Sequence, residues 1–185
     1  GNTFFGASAG RQNETADFQT FVGYNAGLNT TTGAGNVIMG YAAGSNHTTS
    51  TDNTFIGSQA GMGKDAGSTA ANYNVGLGSV ALFYCDTGAL GNVAIGFKSM
   101  MGDNGSVDSI TGDYNVSIGY QAMYAIGSGT KNVCLGYQAG NAITTGSNNI
   151  AIGYDSDCAA TVSDQIAIGQ SVVTTVANEL RIGNG

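Results

Sequence analysis

The stretch Tyr114-Asn115-Val116-Ser117-Ile118-Gly119-Tyr120-Gln121-Ala122 returns 17 residues later as Lys131-Asn132-Val133-Cys134-Leu135-Gly136-Tyr137-Gln138-Ala139. Variants of the same phrase end at Gly6, Gly23, Gly40, Gly57, Gly78, Gly96, Gly119, Gly136, Gly153, Gly169 and Gly183. A short phrase repeated at a nearly constant period is the mark of a coil stacked along an axis. The eleven copies predict an all-β parallel β-solenoid of about eleven coils. Residues 1–185 then form a single repetitive domain, with loop insertions near 61–72, 83–91 and 101–113 where the spacing lengthens.

Composition agrees with an ordered body. Gly is 31 of 185 residues and Pro is absent, while 42% of the chain is hydrophobic and falls in register with the repeat. A residue without an N–H would break the rungs of a long ladder, so the missing prolines fit a stack of short strands. The formal charge of −7 leaves only Arg11, Lys64, Lys98, Lys131 and Arg181 as strong bases. Nucleic acid and anionic membranes are therefore not expected partners. No apolar run nears the roughly 18 residues that span a bilayer, and no charged-then-apolar leader precedes the first copy. The pattern is already under way at Asn2 and still running at Gly183, so the chain is expected to be an excerpt or a processed product.

Aligned on their glycine, the copies fall into columns. The residue just before Gly is large and apolar throughout, from Phe5 and Val22 to Ile168 and Ile182. The residue two places earlier is Thr, Val, Ile or Leu, from Thr3 and Thr20 to Ile166 and Leu180. Residues two apart share a face of a strand, so these two columns are expected to fill the coil's own interior. Between them stand Phe4, Phe21, Ile38, Phe55, Gly76, Ala94, Ser117, Cys134, Ala151 and Ala167, with Arg181 closing the series. A small or apolar column on the opposite face calls for a second covering layer, which sister chains could supply. These residues are accordingly expected to face a homotrimer axis, with the fibre wider near residues 1–60, where the column is bulky.

Four places before Gly the chain carries Asn2, Asn36, Asn53, Asn74, Asn92, Asn115, Asn132 and Asn149, which stacking would join into a side-chain amide ladder at a turn. Gly itself is expected to supply a positive φ or a close backbone approach at a corner. Tyr24, Tyr41, Phe97, Tyr120, Tyr137 and Tyr154 follow it, and a small residue three places on should let the chain bend into a second short strand.

The quoted phrases, with Gly-Asn-Val-Ala-Ile-Gly at 91–96, resemble the β-roll repeats of bacteriophage tail fibres. They are similar, less closely, to the head repeats of bacterial trimeric autotransporter adhesins. The latter carry Asn five places before Gly, where seven of the copies here have Gly1, Gly35, Asp52, Tyr73, Gly91, Tyr114 or Lys131, so the fibre family fits better. The resemblance implies a left-handed parallel β-roll, a homotrimer and a recognition role on an extended appendage. It places the chain in a virion tail fibre outside the cell, or alternatively on a bacterial surface, with a host-surface glycan or protein as partner. The closing Asn178-Glu179-Leu180-Arg181-Ile182-Gly183 resembles the stretch that precedes a C-terminal folding chaperone in such fibres.

Signs of chemistry are few. His47, the single histidine, lies in the polar run 45–51 and is expected in an exposed loop. No nucleophile elbow or phosphate loop is present, and no helix is expected to carry one, so neither enzymatic activity nor a cofactor is expected. Cys85, Cys134 and Cys158 lack metal or disulfide spacing and are read as free thiols. Asp103, Asn104, Asp108 and Asp113 could offer oxygens to Ca²⁺ but lack the order of a calcium loop, so no metal site is expected. Of the Asn-x-Ser/Thr sequons at Asn13, Asn29, Asn46, Asn104 and Asn115, the last lies inside the repeat phrase, a poor place for a glycan. Two other classes were weighed. A glycan-cleaving fibre needs paired acids in a groove, and an ice-binding solenoid needs flat outward rows of Thr. The inserted loops are the expected contacts with a host surface.

Overall fold

The computed structural model describes residues 1–65, 67, 71–102 and 109–183. Eleven three-residue strands, one per copy of the phrase, stack in parallel. They are β1 (Thr3–Phe5), β2 (Thr20–Val22), β3 (Val37–Met39), β4 (Thr54–Ile56), β5 (Val75–Leu77), β6 (Val93–Ile95), β7 (Val116–Ile118), β8 (Val133–Leu135), β9 (Ile150–Ile152), β11 (Ile166–Ile168) and β13 (Leu180–Ile182). Two short strands, β10 (Asp157–Cys158) and β12 (Val173–Thr174), pair in a second small sheet. The chain is an all-β parallel solenoid of about ten turns with no helix among the described residues.

Register follows the repeat residue for residue: Val93 pairs with Val116, Ala94 with Ser117 and Ile95 with Ile118. Each coil hands its N–H groups to the next, as in Val75 N to Asn92 O, Val93 N to Asn115 O and Val116 N to Asn132 O, all 2.8 Å. Within the strand these bonds pair the backbone from coil to coil, which is why three residues suffice.

The phrase glycine is needed twice over. Gly78 has φ +133°, which L side chains rarely adopt, and a Cβ there would lie 2.6 Å from the carbonyl oxygen of Gly96 in the next coil. The segment after it is not the expected second strand in the first eight coils. Left-handed residues two and four places after Gly, such as Gln121 (φ 51°) and Met123 (φ 50°), turn the chain instead, and extended pairing there appears only at β10 and β12.

The two faces of the strand are reversed from expectation. Phe21, Ile38, Phe55, Gly76, Ala94, Ser117, Cys134, Ala151 and Ala167 are buried by their own chain, and none faces outward toward an axis. Phe4 belongs to the same interior column, stacking on Phe21 with ring centroids 5.1 Å apart, and keeps some exposure because it lies in the end coil. The columns expected inside, such as Val37 and Met39 or Val116 and Ile118, point outward. Parity explains the reversal. The amide four places before Gly and the middle residue two places before it share one face of the strand, and it is the amide that must be enclosed.

The amides are enclosed from Gln19 to Gln165, and in that column Gln165 Oε1 is buried without a hydrogen-bond partner. Asn92 Nδ2 donates to Asn74 Oδ1 (3.2 Å) and to Gly112 O of its own coil (2.9 Å), while Asn92 Oδ1 accepts from the backbone N–H of Asn115 (2.9 Å). The same bonds recur through Asn53, Asn74, Asn115 and Asn132. Asn36 and Asn149 each keep the bond to a carbonyl and the bond accepted from the next coil. Gln19 and Gln165 extend the column at either end, and Asn2 begins it by accepting from Gln19 N. A buried amide with its donors and acceptor engaged avoids a desolvation cost of about 1–3 kcal/mol per group.

The changing bulk of the middle column is not a taper of the fibre. Six places after each bulky member stands a glycine: Gly27 after Phe21, Gly44 after Ile38, Gly61 after Phe55. A Cβ at Gly61 would lie 2.5 Å from the Phe55 ring, and one at Gly44 would lie 2.6 Å from Ile38 Cδ1. Where the middle residue shrinks, the opposite wall fills the space with Leu82 beside Gly76, Met100 beside Ala94 and Met123 beside Ser117, all buried. In the six coils from Phe21 to Ser117, one of these two positions is large and the other small, so the bulk comes from one wall or the other.

A swap tests this. Phe55→Gly alone should cost about 3–5 kcal/mol through the cavity it leaves. Gly61→Leu alone should cost about 1–3 kcal/mol or more by overpacking. The pair together should recover most of the loss, because Leu82 already holds the same backbone twist (φ 53°). Urea unfolding of the four proteins, taken as a double-mutant cycle, reads the coupling; additive losses would contradict shared space.

Candidate functional site

With the middle column turned inward, the outward pair in each strand makes one continuous surface. Its 22 positions, from Thr3 and Phe5 to Leu180 and Ile182, are Thr, Val, Ile, Leu, Met or Phe without a single charge. In-register stacking hides the flanks of each side chain and leaves its tip in solvent: Ile56 and Ile118 are each 40% exposed. A flat apolar strip on a rigid parallel sheet is unusual as free surface.

Aromatic rows border it on both sides. After six of the glycine corners stands an aromatic ring: Tyr24 stacks on Tyr41 at 5.7 Å, and Phe97, Tyr120, Tyr137 and Tyr154 form an unbroken stack with centroids 5.1–5.4 Å apart. Such stacking follows from identical residues repeated one coil apart. On the other border, five places before Gly, Phe18, Tyr73 and Tyr114 are exposed on left-handed backbone (φ 56–59°).

Beyond the Tyr row, a groove of about 400 Å³ opens across coils seven and eight, lined by Gln121, Tyr124, Gln138 and Asn141. Gln138 Nε2 donates to Gln121 Oε1 at 2.9 Å, which fixes both amides.

His47 is not in an exposed loop. It is 2% exposed and occupies an interior column, seven places after the phrase glycine, that Thr30, Cys85, Ile126 and Ile143 fill in other coils. Its Nε2 lies 2.7 Å from Gly61 O, its Nδ1 3.1 Å from Ser50 Oγ, and its ring stacks on Phe55 at 5.6 Å. Burial lowers its pKa to about 4, against smaller opposing effects of the Gly61 carbonyl and Asp86. The polar run around it misled because the coil wall continues through it.

The thiols of Cys85, Cys134 and Cys158 are free and buried, and burial raises the pKa of each, to about 12 at Cys85. A buried thiol held neutral is an inert packing residue. Several acids have structural partners. Asp113 Oδ1 accepts from Leu90 N at 2.9 Å, Asp86 accepts from Thr87 N and Ser109 Oγ, and Glu179 accepts from Thr175 N while pairing with Arg181. Asp157, raised by burial to about 6, accepts from Cys158 N and Ala142 N.

The insertions are partly wall. In 83–91, Cys85 and Ala89 are interior, bridges join Asn72 to Leu90 and Cys85 to Ile110, and Thr87 and Gly88 form the exposed tip. Asp103, Asn104 and Asp108 of the considered calcium loop lie outside the described residues. No cluster of three metal-ligating side chains occurs among the described residues. Asn115 is fully buried, so its sequon is closed to a glycan in the folded chain. Comparison with protein-family models, curated proteins and solved structures gives no match for this chain.

Buried neutral His47 makes stability pH-dependent. Its folded pKa of about 4 lies below the usual 6.5, so the contribution is whole above pH 6.5 and is lost as pH falls toward 4. Relative to His47→Thr, which copies the Thr30 coil, the native chain should lose roughly 3 kcal/mol over that window. Denaturation at pH 7.5, 5.5 and 4 measures it, and the comparison cancels Asp157, whose raised pKa acts in the opposite direction. Equal pH profiles for the two proteins would refute it.

Proposed function

We propose that this chain is a structural and recognition segment of a homotrimeric extracellular fibre, a phage tail fibre that mediates host attachment. The observation that carries the proposal is the uncharged apolar strip of 22 outward residues running the length of the sheet. A strip three residues wide is about 10 Å across, and eleven strands extend it about 50 Å. That alone falls below the roughly 800 Å² per partner of a stable interface. The bordering rows widen it. Around a threefold axis, the Tyr row of one subunit would lie beside the Phe18, Tyr73 and Tyr114 row of the next. The repeat phrases resembling tail-fibre β-rolls support three subunits in parallel. Rows farther from the strip would stay in solvent, free to meet a host surface.

Sedimentation equilibrium of the native chain should return three times the 18.5 kDa chain mass. Ile118→Lys combined with Val93→Asp places charge at the centre of the strip, and the trimer should dissociate to monomers with an unchanged far-ultraviolet circular dichroism spectrum. A native chain that sediments as a monomer would end the proposal.

A further inference from the structure

We propose that the groove between coils seven and eight, lined by Gln121, Tyr124, Gln138 and Asn141, binds an uncharged saccharide. This deepens the recognition role proposed above, though the site lies within one chain. The first eight coils repeat the same turn, with positions two and five places after the phrase glycine. They hold Asn25 and Leu28, Val80 and Phe83, or Lys98 and Met101 elsewhere. Coils seven and eight combine amides in one layer with an aromatic ring in the same cleft, at Gln121 with Tyr124 and Gln138 with Asn141.

The amides are held in place before any ligand arrives. Both glutamines sit on left-handed corners (φ 51° and 52°), and the 2.9 Å bond from Gln138 Nε2 to Gln121 Oε1 fixes their planes. That bond uses one donor and one lone pair. A carboxamide carries two N–H donors and two acceptor lone pairs, so Gln121 Nε2, Gln138 Oε1 and the Asn141 amide retain capacity toward the groove. Paired donors and acceptors match vicinal hydroxyls, which both give and accept hydrogen bonds. The Tyr124 ring supplies the apolar surface that a sugar's C–H face needs. At about 400 Å³ the groove falls in the size range of small-molecule sites. Among the described residues no charged side chain lines it, and the net charge of −7 disfavours acidic sugars.

The test is titration of the intact chain with glucose, galactose, N-acetylglucosamine and maltose, with sialic acid as the anionic control, followed through the side-chain amide resonances of Gln121, Gln138 and Asn141. At least one neutral sugar should shift these signals saturably, and sialic acid should not. Gln121→Ser with Gln138→Ser keeps a residue that the repeat already uses on this corner, at Ser8 and Ser171. It should weaken binding about tenfold or more, at about three- to tenfold per lost amide contact, with the melting temperature unchanged. Failure of all four neutral sugars to move the signals, or equal affinity of the double variant, overturns the site. Sedimentation run beside it separates the two proposals. A trimer that ignores sugars loses only this one, and a monomer that binds them loses only the trimer.

Discussion

From Phe21 to Ser117 the middle residue and the position six places on share one space that a single large side chain fills, and much of the structure follows from that limit. In-register backbone bonds hold neighbouring coils at a fixed rise, and the rings of one layer rest on the next: Phe55 stacks on His47, and a Cβ at Gly76 would lie 3.2 Å from the Phe55 ring. Phe55 therefore demands Gly61 across the cavity, and Gly76 demands Leu82. What remains of the cross-section is taken by the Asn column, whose carboxamide serves both the carbonyl of its own coil and the N–H of the next. The two residues that flank each middle residue have the opposite parity and lie on the outer surface.

Much of this was legible in the chain. The period, the parallel stacking and the glycine corner were readable because each rests on a backbone requirement that repeats without exception. The assignment of faces was not read correctly, for a definite reason. A three-residue strand can put one residue inside and two outside, or the reverse, and an apolar outer strip looks like a core. Two signals could have decided it. Asn92 and Ala94 have the same parity, so an enclosed amide ladder carries the middle column inward with it. The alternation of Phe21 with Gly27 and of Ala94 with Met100, six places apart, is the volume exchange of residues that share a cavity.

His47 shows a different failure. Ser45 through Thr51 reads as polar loop because every residue is small or hydrophilic, yet the run occupies wall positions held elsewhere by Ile126 and Ile143. Satisfied hydrogen bonds to Gly61 O and Ser50 Oγ let a polar ring stand where an aliphatic one usually does. Left-handed non-glycine corners such as Gln121 and Lys131 were equally hidden, since no residue type demands them; the stacked backbone imposes the twist and tolerates ordinary side chains.

Variation along the outer rows separates structural from recognition duties. The strip from Thr3 to Ile182 keeps one chemical character through every coil, which is the behaviour of positions that share one environment over the full length. The position two places after the glycine changes between amide, base, acid and aliphatic from coil to coil, although its backbone is left-handed in every one from Ser8 to Ser171. Identical geometry with such diverse side chains means that the backbone does not dictate the residue there. A rigid solenoid can thus vary what it presents on one side while the strip on the other stays uniform, and the groove beside Gln121 and Gln138 is where that variation gathers hydrogen-bonding groups around an aromatic ring.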